Sequence, residues 1–120
     1  MNEYQGSASA GAVLFDRDLA LSRVGGDLEL LKEIATLFIE DYPRVMHELR
    51  DAMAREDFKT IERTAHGLKG SVSNFGAPTA VEAARVIEML GRAHKLEEAK
   101  QVIHTLELAL AALRPELESL

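Results

Sequence analysis

The stretch Ala65-His66-Gly67-Leu68-Lys69-Gly70-Ser71 holds the residues best suited to chemistry. It sets a lysine three positions after a histidine and places two glycines inside an apolar pattern of helical period. Imidazole is mostly neutral at physiological pH, and the neutral ring is a nucleophile. An ammonium one helical turn away can neutralise an incoming phosphoryl group. Glycine in an exposed helix interior costs roughly 1 kcal/mol relative to alanine. Two such costs beside a histidine indicate that something must come very close to the ring.

The direction of the ring follows from the helical wheel. Phe58, Ile61, Ala65, Leu68, Val72 and Phe75 recur at steps of three and four and define a buried stripe. His66 falls roughly 130° from the centre of that stripe at about 100° per residue, so it is expected to face solvent. Its neighbours one turn away are Glu62, Arg63, Lys69 and Gly70, with Ser73 two turns on. The pattern describes a nucleophile presented on a convex surface rather than a substrate pocket. His47, His94 and His104 lack such surroundings and are assigned to solvated flanks or helix ends.

The elements that must position this stretch are helices. Residues 1–14 carry Gly6-Ser7-Ala8-Ser9-Ala10-Gly11 and are expected to be a flexible lead-in to a domain over 15–120. Asp16 predicts an N-cap for a short helix ending at Gly25-Gly26, and Asp27 caps the next. In that long helix Leu28, Leu31, Ala35, Phe38, Tyr42, Val45, Leu49 and Ala52 keep one register across Pro43, which predicts a single kinked helix. Asp57 caps the helix bearing His66, and Gly76 ends it. Pro78 suits the first turn of a further helix, with Val81, Ala84, Val86, Ile87 and Leu90 on its apolar face. A break is expected around Gly91 to Lys95. The last helix turns Leu96, Ala99, Val102, Ile103, Leu106, Leu110 and Leu113 inward and is expected to fray at Pro115. Four substantial helices with short connections predict an all-α, antiparallel up-down four-helix bundle, with the short first helix packed across one end.

Composition limits the function. The 120 residues suffice for one domain, and 47% of them are hydrophobic, which excludes a disordered chain. A net charge of −6 argues against nucleic acid or an anionic membrane as partner. The absence of cysteine excludes disulfides and thiolate metal sites. The first residues lack the pattern of a signal peptide and no apolar run is long enough to span a membrane, so a soluble, cytoplasmic protein is expected.

Residues 65–71 together with Gly76-Ala77 resemble the histidine-containing phosphotransfer (HPt) domain family of multistep two-component phosphorelays. The family pattern there is His, any residue, Leu, Lys, Gly, a small residue, and Gly-Ala several positions later. The Gly25-Gly26-Asp27 segment, the Phe38 to Leu49 pattern, Asp57 and Glu88 extend the likeness from about residue 15 onward. Gly67 departs from the small or polar side chain usual in relatives. The resemblance implies a four-helix bundle in which His66 accepts the phosphoryl group through Nε2. It also implies that Lys69 stands near the phosphoryl oxygens and that Gly70 gives a partner room. Glu88, on the following helix, is expected to bond the other ring nitrogen, and Arg92 to lie within reach of phosphate. The docking surface is expected to comprise Arg63, Gly67, Gly70, Ser73 and Arg92, with Arg63, Lys69, Arg85 and Arg92 keeping it locally basic. The implied partners are receiver domains of a hybrid sensor kinase or a response regulator. Mg²⁺ is expected in the receiver, with no cofactor or metal bound by this chain.

Neither G-x-x-x-x-G-K-[ST] nor G-x-G-x-x-G occurs, so ATP-dependent autophosphorylation is not expected. A di-iron carboxylate bundle would use Glu-x-x-His pairs. The residues three before the four histidines are Arg44, Arg63, Gly91 and Gln101, so the motif is absent. The remaining rival is a docking module with the same fold and surface but no phosphoryl transfer.

Overall fold

Three aspartates start three of the helices. The side chains of Asp16, Asp27 and Asp57 accept from the backbone N–H groups of Leu19, Leu30 and Thr60 at 3.0, 3.0 and 3.1 Å. These bonds satisfy donors that a first helical turn leaves unpaired. The helices that follow are α1 (Arg17–Arg23), α2 (Leu28–Ala54) and α3 (Phe58–Ser73). Pro78 then opens α4 (Pro78–Arg92), and α5 (Leu96–Glu118) completes the chain. This computed structural model describes residues 15–120, and the expected lead-in over 1–14 lies outside the described residues.

The result is an all-α, up-down bundle. α2 packs on α3, α3 on α4, α4 on α5, and α5 returns to α2, while α1 leans on α2. The core runs down the middle through Leu31, Leu49, Ile61, Ile87, Leu106 and Leu110, all fully buried. Burying a side chain of this kind contributes about 1.5–3 kcal/mol, which is what holds the four amphipathic helices together.

The structure bears out the single helix expected across Pro43 and alters two expectations at helix ends. α2 is one uninterrupted helix through Pro43, which sits on the exposed side. α5 does not end at Pro115 but continues to Glu118, because Leu117 is buried and Leu120 packs against the core. The break expected from Gly91 falls later. Gly91 is helical and buried, and a Cβ on it would lie 2.9 Å from Ile61 Cγ2 and 3.1 Å from the Glu62 backbone nitrogen. Its bare backbone lets α3 and α4 approach closely. The residue that turns the chain is His94, at φ 59°, whose ring stacks on Phe58 with centroids 4.3 Å apart.

Gly76 joins α1 to the corner between α3 and α4. The Asp16 N–H donates to the carbonyls of Phe75 and Gly76 at 3.1 and 3.0 Å. Gly76 has φ 59°, and a Cβ there would meet Asp16 Cβ at 2.7 Å. Gly76→Ala is therefore expected to destabilise the fold by ~1–3 kcal/mol, from left-handed strain plus displacement of Asp16. Thermal unfolding checks this, and an unchanged midpoint contradicts it.

Candidate functional site

His66 stands on the outer side of α3 with its side chain 66% exposed. The stripe of Ile61, Ala65, Leu68 and Val72 is buried, so the helix has only one way to face and the ring points to solvent. Its Nδ1 lies 2.9 Å from Oε2 of Glu88 on α4. Residues 66 and 88 meet because Gly91 lets the two helices close together one turn further along.

Glu88 is the hub of the site. Its side chain is only 9% exposed, yet three basic groups surround it. Lys69 Nζ lies 2.8 Å from Oε1, an ion pair at close range. Arg92 Nη2 lies 3.3 Å from Oε2, and the same guanidinium places Nε 2.7 Å from Oε2 of Glu62 on α3. The Lys69 contact is the main influence holding the Glu88 carboxyl below the usual glutamate range, against the opposing effect of burial and with help from His66. An ionised Glu88 accepts, so a neutral His66 must donate from Nδ1–H. That tautomer leaves the Nε2 lone pair on the exposed side of the ring, the arrangement of an oriented nucleophile.

The other expected site residues divide into two groups. Gly67 and Gly70 are exposed beside His66, and a Cβ at either would meet nothing within 4 Å. Packing therefore does not explain them, and they leave bare backbone next to the ring. Lys69 and Arg92 join the Glu88 cluster, but Lys69 is only 30% exposed and is engaged by the carboxylate rather than standing free. Arg63 and Ser73 are not part of the cluster. Arg63 borders the groove between α2 and α3 with Phe38, Val45 and Gly67. The Ser73 hydroxyl folds back to donate to the Gly70 carbonyl at 2.8 Å.

The expected basic face is mostly neutralised internally. Arg85 clasps Glu82 through two bonds of 2.9 and 2.6 Å, because the pair sits one turn apart on α4. Lys69 and Arg92 have their own carboxylates, and among the described residues Arg63 alone of the four has no ion-pair partner. Sequence reasoning also missed two features. Glu62 was visible only as a neighbour of His66, one turn before it. Leu37, 65% exposed, is an apolar residue off the α2 stripe, beside Ile34 and Phe38 in a groove that continues to Ser71 and Asn74.

An upright bundle that offers a carboxylate-oriented imidazole beside bare backbone defines a class of histidine-presenting domains. The chain belongs to the Hpt domain family, whose family model matches residues 33–116. It is similar to histidine-containing phosphotransfer protein 1 of Arabidopsis thaliana, 24% identical over 94 residues. That match covers 77% of this chain and 61% of the relative, so this chain spans about three fifths of that protein's length. Among solved structures it resembles histidine-containing phosphotransfer protein B from Pseudomonas aeruginosa, with a TM-score of 0.82 and 23% identity over 92% of this chain and 95% of the other. It also resembles the HPT domain of a hybrid sensor histidine kinase from Shewanella, with a TM-score of 0.76 and 20% identity over 88% and 92% of the two chains. These structural likenesses concern the fold. No described helix is long and apolar enough to cross a membrane.

Proposed function

We propose that this chain is a phosphorelay intermediate that takes a phosphoryl group from a receiver-domain aspartate onto His66 and passes it to another receiver. The observation that carries this reading is the exposed imidazole whose Nδ1 is held by a buried carboxylate at 2.9 Å. In the reaction the Nε2 lone pair forms a bond to phosphorus while the bond from phosphorus to the aspartyl oxygen breaks, and the receiver's carboxylate leaves. The Nδ1 proton stays between ring and Glu88. The ring gains positive charge as the N–P bond forms, and the Glu88 carboxylate offsets it. In this reading Lys69, one turn from His66 on the same helix, shares its ammonium between Glu88 and the phosphoryl oxygens. Transfer of this kind depends on in-line positioning and charge stabilisation, with little further chemistry asked of the protein.

The Mg²⁺ of the reaction belongs to the receiver in this reading, and the receiver's aspartate is charged by a separate kinase rather than by this chain. A relay between receivers places the chain in the cytoplasm. The exposed backbone at Gly67 and Gly70, flanked by the groove of Phe38 and Val45, offers a receiver a surface to close on. Gly70→Gln tests that surface. A Cβ at position 70 meets nothing within 4 Å, so the helix gains up to about 1 kcal/mol. Receiver binding is expected to weaken by about tenfold, or ~1.4 kcal/mol. Unchanged affinity in titration calorimetry removes this account of the glycine.

The reaction itself is tested by mixing the chain with receiver domains carrying radiolabelled aspartyl phosphate. Label is expected to move to this chain from at least one receiver of the same genome. Binding without transfer across the whole panel would identify a docking module instead.

A further inference from the structure

His66 and Arg92 share one oxygen, which has two lone pairs and accepts from both. Glu88 Oε2 lies 2.9 Å from His66 Nδ1 and 3.3 Å from Arg92 Nη2. The shorter bond goes to the ring, while Arg92 makes its own shortest bond to Glu62, at 2.7 Å. We propose that Glu62 is a positioning residue for His66: by drawing Arg92 toward α3 it keeps the guanidinium's bond to Glu88 Oε2 long, so that the Nδ1–H has the stronger bond to that oxygen and Nε2 stays free to react. Glu62 lies one turn before His66 on the same helix, where α4 approaches tightly at Gly91, so its carboxylate is placed to intercept the guanidinium.

No other charged group takes this part. Lys69 occupies the opposite oxygen, Oε1, and does not contend for Oε2. Arg85 is bound to Glu82, and on α2 Asp41 and Glu48 are bound to Arg44. Among the described residues, no charged side chain of α5 pairs with Glu62, Glu88 or Arg92. The balance at Oε2 is therefore between a ring N–H and a guanidinium, and Glu62 sets it.

This inference rests on His66 being the acceptor, but its primary test needs no phosphate. ¹⁵N shifts of the His66 ring at about pH 8.5, where imidazole is neutral, report the share of Nδ1–H tautomer. Glu62→Gln is expected to let Arg92 tighten its bond to Oε2 and to lower that share. Arg92→Gln is expected to raise it or leave it high. The double variant is expected to behave like Arg92→Gln, because without the arginine there is nothing for Glu62 to restrain. Phosphoryl transfer is expected to follow the same order, with Glu62→Gln about two- to fivefold slower than wild type, the size of one exposed ion-pair coupling. An unchanged tautomer share in Glu62→Gln, or a double variant as impaired as Glu62→Gln alone, overturns the proposal. A tautomer shift in a chain that takes phosphate from no receiver leaves the coupling standing and removes the relay reading instead.

Discussion

His66→Gln is expected to accept no phosphoryl group, falling by more than about 10³-fold to background, while the fold stays intact. A glutamine amide has no lone pair comparable to the imidazole nitrogen's, so no substitute nucleophile remains at that point. The side chain is largely in solvent, and its one hydrogen bond among the described residues is with Glu88. Glu88 keeps Lys69 and Arg92 when the ring is lost. Stability is therefore expected to change by no more than about 0.5 kcal/mol, as for other surface substitutions. Label transfer and thermal unfolding on the same preparation separate the two effects. Wild-type labelling of His66→Gln would move the acceptor to His47, His94 or His104. A large drop in midpoint would mean that the ring is part of the fold rather than an appendage to it.

Glu88 carries the second large effect, and the form of the substitution matters. Glu88→Leu removes the acceptor for Nδ1–H and the counter-charge for the phosphorylated ring. Transfer is expected to slow by about 10–100-fold, the usual weight of a group that orients a reactive histidine. Glu88→Gln keeps a carbonyl oxygen for the ring and is expected to recover part of the rate, but not the charge compensation. Stability is expected to respond differently. Replacing a buried, ion-paired carboxylate by an apolar side chain of similar volume is often neutral or favourable. The Lys69 and Arg92 heads left behind can turn to water, being 30% and 61% exposed.

The acid limb of stability gives an independent check on Glu88. Its carboxyl is held below the ordinary range in the folded chain, chiefly by Lys69. The unfolded chain, with a glutamate of about 4.3, takes up the proton first as pH falls. The stability from this group is thus complete above about pH 4.3 and is lost as pH drops through the lower folded value. Glu88→Gln is expected to flatten that part of the profile. An acid limb of unchanged slope in Glu88→Gln contradicts the ion-paired state of the carboxylate.

The sequence made local features legible because they depend on few residues. Asp16, Asp27 and Asp57 cap helices through bonds that span three positions, and the stripe of α3 alone decides where His66 points. Gly67 and Gly70 stood out because a helix has no internal use for them, and open space is indeed found at both. Gly91 misled because a glycine that ends a helix and one that admits a neighbouring helix look alike along the chain. Only the nearness of Ile61 distinguishes them. His94 takes the left-handed turn usually given to glycine or asparagine, and its stacking on Phe58 joins residues 36 positions apart in the chain. The Glu62–Arg92 bond was hidden for the same reason, since it depends on the spacing and rotation of two helices. Pro115 was read as an end because proline removes a hydrogen bond, whereas burial of Leu117 outweighs that loss.

The most direct measurement is heteronuclear ³¹P and ¹⁵N NMR of the chain after phosphorylation by a charged receiver. One phosphoryl group is expected, bonded to Nε2 of His66, with Nδ1 still protonated and facing Glu88. A phosphoryl group on Nδ1 of that ring, or on any of the other three histidines, would contradict the geometry on which the proposed relay depends.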